Sequence, residues 1–341
     1  ELYASLIISL FVFIGTVASV LPKKSRLDEL ILRKRTIIVL AALIVCGTLA
    51  MPFCSTDTPF GQVMLLASGI LTGIASPLML LGWMRIFSDV GSRLAMVEMS
   101  AAFLVAGTAD YFLSYCPQAI AVATLALATV GSAILLRLCA WHRCRKETPD
   151  ASHRITPEIR HFFKKGCVAI FLFTFVYASV DAICGYRFFT VGENYAQAVL
   201  CSYIVAAFAI CLFALLSKNR AFLFAYRFFA LMLAMSTISI PLMTDNATYA
   251  SMFALAGYVS ISILVPIAAN DISNYFRIRS TKVVALVYLV MYSGELCGAL
   301  VMLALPVLGI SREDVNWISF MFSAIVLMAA FILFTENDFA A

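Results

Sequence analysis

Apolar residues run along the chain in eleven long blocks, near 2–22, 36–54, 61–86, 94–115, 119–141, 166–188, 196–217, 222–243, 249–269, 284–306 and 316–335. Short polar stretches separate them. Each block is long enough to cross a hydrocarbon layer about 30 Å thick, which takes about 20 helical residues. The blocks are apolar on every side, so no single stripe faces a water-covered core. In lipid the backbone must satisfy its own hydrogen bonds, which makes helix the expected form. A transmembrane β-barrel would need segments of about ten residues with alternating polarity, and these runs do not alternate. The pattern predicts an all-α membrane protein with eleven spans.

Composition agrees. The chain is 63% hydrophobic and 13% charged, with a mean hydropathy of +0.97. Soluble proteins average about 45–50% apolar and about 25% charged. Disorder is excluded by the apolar content. An ordinary soluble enzyme is excluded as well, because no core hides so much apolar surface. Ten cysteines are scattered without a C-x-x-C pair, so no zinc or redox motif appears.

The net charge of +5 is explained by where the basic residues fall. When each of the 24 Lys and Arg is assigned to its nearest loop, one side takes 22 and the other only Arg187 and Arg312. The basic side is expected to be cytoplasmic. The C-terminus is then cytoplasmic and Glu1 lies outside. That odd topology, with a first residue other than Met, predicts a further helix upstream. The first block is not a signal peptide, since Lys23, Lys24 and Arg26 follow it. With twelve helices, the basic loop 142–165 joins two halves. The expected division is 1–141 as an N-terminal half-bundle with five spans present, 142–165 as a cytoplasmic linker, and 166–341 as a C-terminal half-bundle of six.

Acids inside a bilayer are costly and usually face a bundle interior or a cavity. Four fall within the blocks: Glu98, Asp110, Asp181 and Glu295. Glu295 lies about halfway along its span, whereas Glu98 is near enough to a helix end to snorkel. Tyr288, Tyr292 and Glu295 follow i, i+4, i+7 spacing and share one helix face. Thr174, Tyr177 and Asp181 share another. These seven residues, Thr174 aside, are the candidate ligand-binding or proton-coupling set. The plainer alternatives are a protonated, hydrogen-bonded acid that only packs, interfacial tyrosines, and a Thr174 hydroxyl bonded to its own helix. The second, fifth, eighth and eleventh blocks carry no acid, which suits helices at the outside of each half.

Gly69 and Gly73, like Gly294 and Gly298, form G-x-x-x-G pairs that permit close helix approach. Packing within the chain is expected of them rather than dimerisation. Trp83, Trp141 and Trp317 lie near helix ends, as interfacial residues do. His142, His153 and His161 with Cys144 match no standard metal spacing. No phosphate loop and no nucleophile–base constellation is present, so neither an enzyme activity nor a cofactor is expected.

The 6+6 layout, central linker and oily third helices resemble the major facilitator superfamily with its first helix missing. That resemblance spans the whole chain and puts the acids on cavity-lining helices. One departure stands out. The superfamily's G-x-x-x-D-R-x-G-R-R gating loop would fall where this chain reads L-P-K-K-S-R-L-D-E-L-I-L-R-K-R, from Leu21 to Arg35. A narrower resemblance lies in S-P-L-M-L-L-G-W-M-R-I-F-S-D-V (Ser76–Val90) and I-L-F-T-E-N-D-F (Ile332–Phe339). Both are similar to bacterial membrane-bound LuxR-type regulators, which carry a helix-turn-helix domain after the last span.

Two functions follow as expectations. The first is the membrane sensor of such a regulator in a bacterial inner membrane. It binds a small ligand and meets DNA only through a domain expected after Ala341. The second is a facilitator-type secondary transporter of a small solute, proton-coupled through Asp181 or Glu295. Membrane lipid is a partner in both, and neither fixes an oligomeric state.

Overall fold

A computed structural model describes residues 2–21, 30–143, 157–185, 195–216, 221–242, 248–275, 280–307, 309 and 312–332. They form eleven α-helices and, among the described residues, no strand. The helices are α1 Leu2–Val20, α2 Lys34–Ala50, α3 Pro59–Phe87, α4 Ser92–Ser114, α5 Gln118–Arg143 and α6 Pro157–Gly185. Then come α7 Tyr195–Leu216, α8 Ala221–Leu242, α9 Thr248–Tyr275, α10 Ser280–Val307 and α11 Arg312–Ile332. The all-α expectation holds, with one helix on each apolar block. Eight helices are long and apolar enough to cross a membrane. The apolar described parts of α1, α8 and α11 are shorter, at Leu6–Ser19, Arg227–Leu242 and Asp314–Ala330.

Local chemistry explains the ends. The Thr58 hydroxyl accepts the amide of Gly61 at 3.1 Å and Pro59 opens α3, an N-cap followed by a proline where no donor is lost. Within the spans, hydroxyls turn back on their own helix: Thr48 donates to Ile44, Ser179 to Phe175 and Ser260 to Ala256. Several helices outrun their apolar blocks, α6 and α9 the furthest. α6 begins at Pro157, and α9 continues to Tyr275 through Asn270, Asp271, Ser273 and Asn274. Helical hydrogen bonding does not stop where the lipid does.

Contacts divide the chain into two units that do not follow chain order. One comprises Glu1–Val90, Tyr115–His153 and Ala269–Leu289; the other comprises Gly91–Ser114, Arg154–Ala268 and Val290–Ala341. In the first, α3 is the central helix. Gly73 brings it against Ser9 and Val12 of α1, and the Ser68 hydroxyl donates to the Gly47 carbonyl of α2 at 2.9 Å. An apolar core joins α2, α3 and α5 through Ile37, Met79, Ile86, Ala133 and Leu136. Trp83 donates from Nε1 to the Ser132 hydroxyl at 3.0 Å. Only 11% of the α5 span is buried, as suits a helix with lipid on most sides.

In the second unit α4 packs on α7, and α11 on α8 and α6. Ser236 donates to the Ala250 carbonyl at 2.7 Å, tying α8 to α9, and Ser202 reaches Met252 at 2.9 Å, tying α7 to α9. Phe173 meets Phe229 edge to face at 4.9 Å. Trp141 and Trp317, 71% and 72% exposed, stand out at helix ends as interfacial residues should. The side chains of His142, His153 and His161, with Cys144, lie outside the described residues.

Candidate functional site

The site is built within the second unit, from α6, α7, α9 and α10. Its geometry starts from two glycines. A side chain at Gly294 would collide with the Thr174 hydroxyl and meet the Phe171 carbonyl at 2.5 Å. One at Gly298 would strike the Phe175 carbonyl and meet Ala178 at 2.9 Å. Backbone therefore lies on backbone, as small-residue pairs allow, and α10 sits tight against α6. Glu295 lies between those glycines in sequence, and Tyr177 and Asp181 lie on α6.

Tyr258, from α9, links the two helices. Its hydroxyl donates to Oε2 of Glu295 at 3.1 Å. Its ring stacks on Tyr177, with centroids 4.1 Å apart and planes 16° from parallel. Tyr292 hydrogen-bonds to Tyr258 as well. Asp181 and Glu295 lie within electrostatic reach of one another, and both act on Tyr177. Both acids and all three tyrosines keep some exposed surface, so the group is not sealed in the core.

Among the described residues, the four helices that build the site bring it no opposing charge. Between their ends, α6, α7, α9 and α10 contain no Lys, Arg or His from 166 to 185, 195 to 216, 248 to 275 and 283 to 307. Acids without basic partners in a low-dielectric region exert a strong, unneutralised field. The arrangement can hold a proton or attract a cation, with tyrosine hydroxyls to orient it and tyrosine faces beside it.

Of the sequence-predicted residues, Glu295, Asp181, Tyr177 and Tyr292 come together. Asp110 lies exposed on α4, and its charge reaches Tyr195 and Tyr203 of α7. Tyr203 lies directly against Gly107 and stacks with Phe103 at 6.4 Å. Glu98 is partly exposed on α4, and no described hydrogen bond or ion pair joins it to these tyrosines. Tyr288, 4% exposed, falls in the first unit, one turn along α10 from Tyr292. Thr174 donates to the carbonyls of Ile170 and Phe171, taking the plainer of its two roles.

Tyr258, Tyr195 and Tyr203 were not among the expected residues. Each sits on a helix without a mid-span acid, and face spacing within one helix carries no information about a neighbour. The available signal was a lone tyrosine deep in an apolar block, as at Tyr258.

No family model matches the chain, and no curated protein matches its sequence. Solved structures do match its fold. The crystal structure of the human organic anion transporter MFSD10 aligns with a TM-score of 0.65 at 13% identity, over 98% of this chain and 83% of that one. The E. coli fucose:proton symporter FucP aligns at 0.54 and 11%, over 98% of each. A bacterial homologue of the iron transporter ferroportin, in an outward-facing state, aligns at 0.55 and 12%, over 97% and 96%. The three are major facilitator-type transporters, and at these identities the likeness concerns the fold.

Proposed function

With a fold shared with major facilitator-type transporters, we propose that this multi-pass membrane protein is a secondary transporter of a small solute, with Glu295 and Asp181 carrying the coupling proton. The observation behind this reading is the acid–tyrosine group on α6, α9 and α10, partly exposed and with no basic partner among the described residues. A carboxyl in that setting changes its interactions when it gains or loses a proton, and alternating access of two halves converts such a change into transport. The halves are those expected from the chain, 1–141 and 166–341, with 142–165 between them.

The three similar structures are described as an organic anion transporter, a fucose:proton symporter and a homologue of an iron transporter. The fold therefore leaves the solute open, and the local charge favours a neutral or cationic solute over an anion. The uneven distribution of basic residues supports a C-terminus in the cytoplasm of a bacterial inner membrane.

The sensor reading rests on Ser76–Val90 and Ile332–Phe339. Residues 333–339 lie outside the described residues, and the similar structures are transporters rather than regulators. The test is proton entry into proteoliposomes holding a pH-sensitive dye, on addition of a panel of sugars, amines and organic acids. Solute-dependent acidification is expected with the intact protein and is lost with Glu295→Gln. A variant that acidifies as fast as the parent removes Glu295 from the mechanism.

A further inference from the structure

The first unit contains a second polar cluster, where the C-terminal ends of α3 and α9 meet the start of α10. Arg85, Ser88, Asn270, Ser273, Ser280 and Thr281 are each at most 8% exposed there. So many buried polar side chains at one place persist only if they are bonded to one another or to backbone. Two of the bonds cross between helices 186 residues apart in sequence. Asn274 donates from Nδ2 to the Ser88 carbonyl at 3.2 Å, and Asn270 donates from Nδ2 to the Met84 carbonyl at 3.5 Å.

The Met84 carbonyl also accepts the Ser88 amide at 2.9 Å, whereas the Ser88 carbonyl has a particular standing. α3 ends at Phe87, so the Ser88 carbonyl lies past the last helical turn and has no donor within its own helix. The carbonyl end of a helix also carries partial negative charge, which amide N–H groups complement. Asn270 is itself held in place: the Ser280 hydroxyl, from the start of α10, donates to its Oδ1. The α3 end is braced by Arg85, whose Nη1 reaches the Ser88 hydroxyl at 2.7 Å and Asp89 Oδ1 at 3.2 Å. The same residues close the Ser76–Val90 motif, which the acid–tyrosine site does not use.

We propose that Asn270 and Asn274, positioned by Ser280, form a releasable latch that clips the end of α9 and the start of α10 onto the carbonyl end of α3. The gating loop common in proteins of this fold is missing between Leu21 and Arg35, and the latch supplies a closure by other means. Neutral amides suit a fastening that must also open. Each bond is modest in strength, water can replace it, and no charge is stranded when it breaks. When the latch releases, the ends of α9 and α10 leave that of α3 and this end of the bundle opens.

Hydrogen–deuterium exchange of the full chain in lipid nanodiscs tests this without any solute, so its outcome is separate from that of the transport reading. Asn270→Asp with Asn274→Asp removes both donors at nearly constant volume and sets carboxylates against the carbonyls. Asn270→Ala with Asn274→Ala removes the donors without adding charge. Both pairs are expected to speed exchange about tenfold or more in residues 84–90 and 269–285 together, leaving residues 59–70 of α3 unchanged. Unchanged exchange in the two segments overturns the latch. So does acceleration spread evenly along α3, which marks general loss of packing instead of local release.

Discussion

The acid–tyrosine group and the asparagine cluster solve opposite problems with polar atoms in an apolar protein. The first uses carboxyls and leaves them partly exposed, with Tyr258 supplying a single bond of 3.1 Å to Glu295. The second joins its helices through neutral amides and hydroxyls, braced by the Arg85–Asp89 pair, and buries most of them, with Asn270 5% and Ser280 7% exposed. A group that must exchange protons or ligands needs access and an unsettled charge. A group that must hold two helices together needs neutrality and satisfied bonds. The contrast separates a part that does chemistry from a part that fastens.

That contrast can be broken at its foundations first. Gly298→Leu puts a side chain where the Phe175 carbonyl already lies, and a backbone carbonyl cannot swing aside. Overpacking of this kind costs about 1–3 kcal/mol or more. The melting temperature should fall and proton entry should drop to background, while an unshifted melt would mean that α6 and α10 are not in close contact. Glu295→Gln comes next, with transport reduced at least about tenfold, the rate equivalent of about 1.4 kcal/mol, and an unchanged melt. A lowered melt there would make Glu295 a structural acid, like the buried polar groups of the other cluster.

Tyr258→Phe should be milder. It removes one hydrogen bond to a carboxyl, worth about 1.5–3 kcal/mol at most if the acid is charged and about 1 kcal/mol if it is neutral, and keeps the ring stacked on Tyr177. A severalfold loss of transport is expected, and a loss matching that of Glu295→Gln would make Tyr258 an equal partner. Thr174→Val should do least. Its hydroxyl serves its own helix, so rate and melt should stay within about 0.5 kcal/mol of the parent. A large effect would show that the expected Thr174 face has a role beyond packing.

The sequence disclosed the helices well because lipid imposes a single rule on the backbone. Every apolar block carries a helix. The misjudged ends are instructive. The apolar block of α9 stops near 269, yet the helix continues to Tyr275, and the latch asparagines lie in that extension. Hydropathy measures where lipid ends, and the hydrogen-bond ladder continues into polar sequence. The acids were visible because charge in an apolar run is rare. Tyr258 was not, since its meaning comes from Glu295 on the next helix. The two contact units were equally hidden, because Asn274 and Ser88 meet across 186 residues.

Both parts share one helix. Pro266 sits inside α9, eight residues after Tyr258 and eight before Asn274. Proline has no amide hydrogen, so the Ser262 carbonyl loses its donor one turn on. The Ser262 hydroxyl likewise has no partner among the described residues. A rod weakened at one point flexes there before it flexes anywhere else. Tyr258 and Asn274 each lie about 12 Å along α9 from Pro266, at 1.5 Å per residue, so the two arms of the helix can take different tilts. Pro266→Ala would restore the missing bond and turn a jointed lever into a stiff one, so that movement at either end would be carried directly to the other.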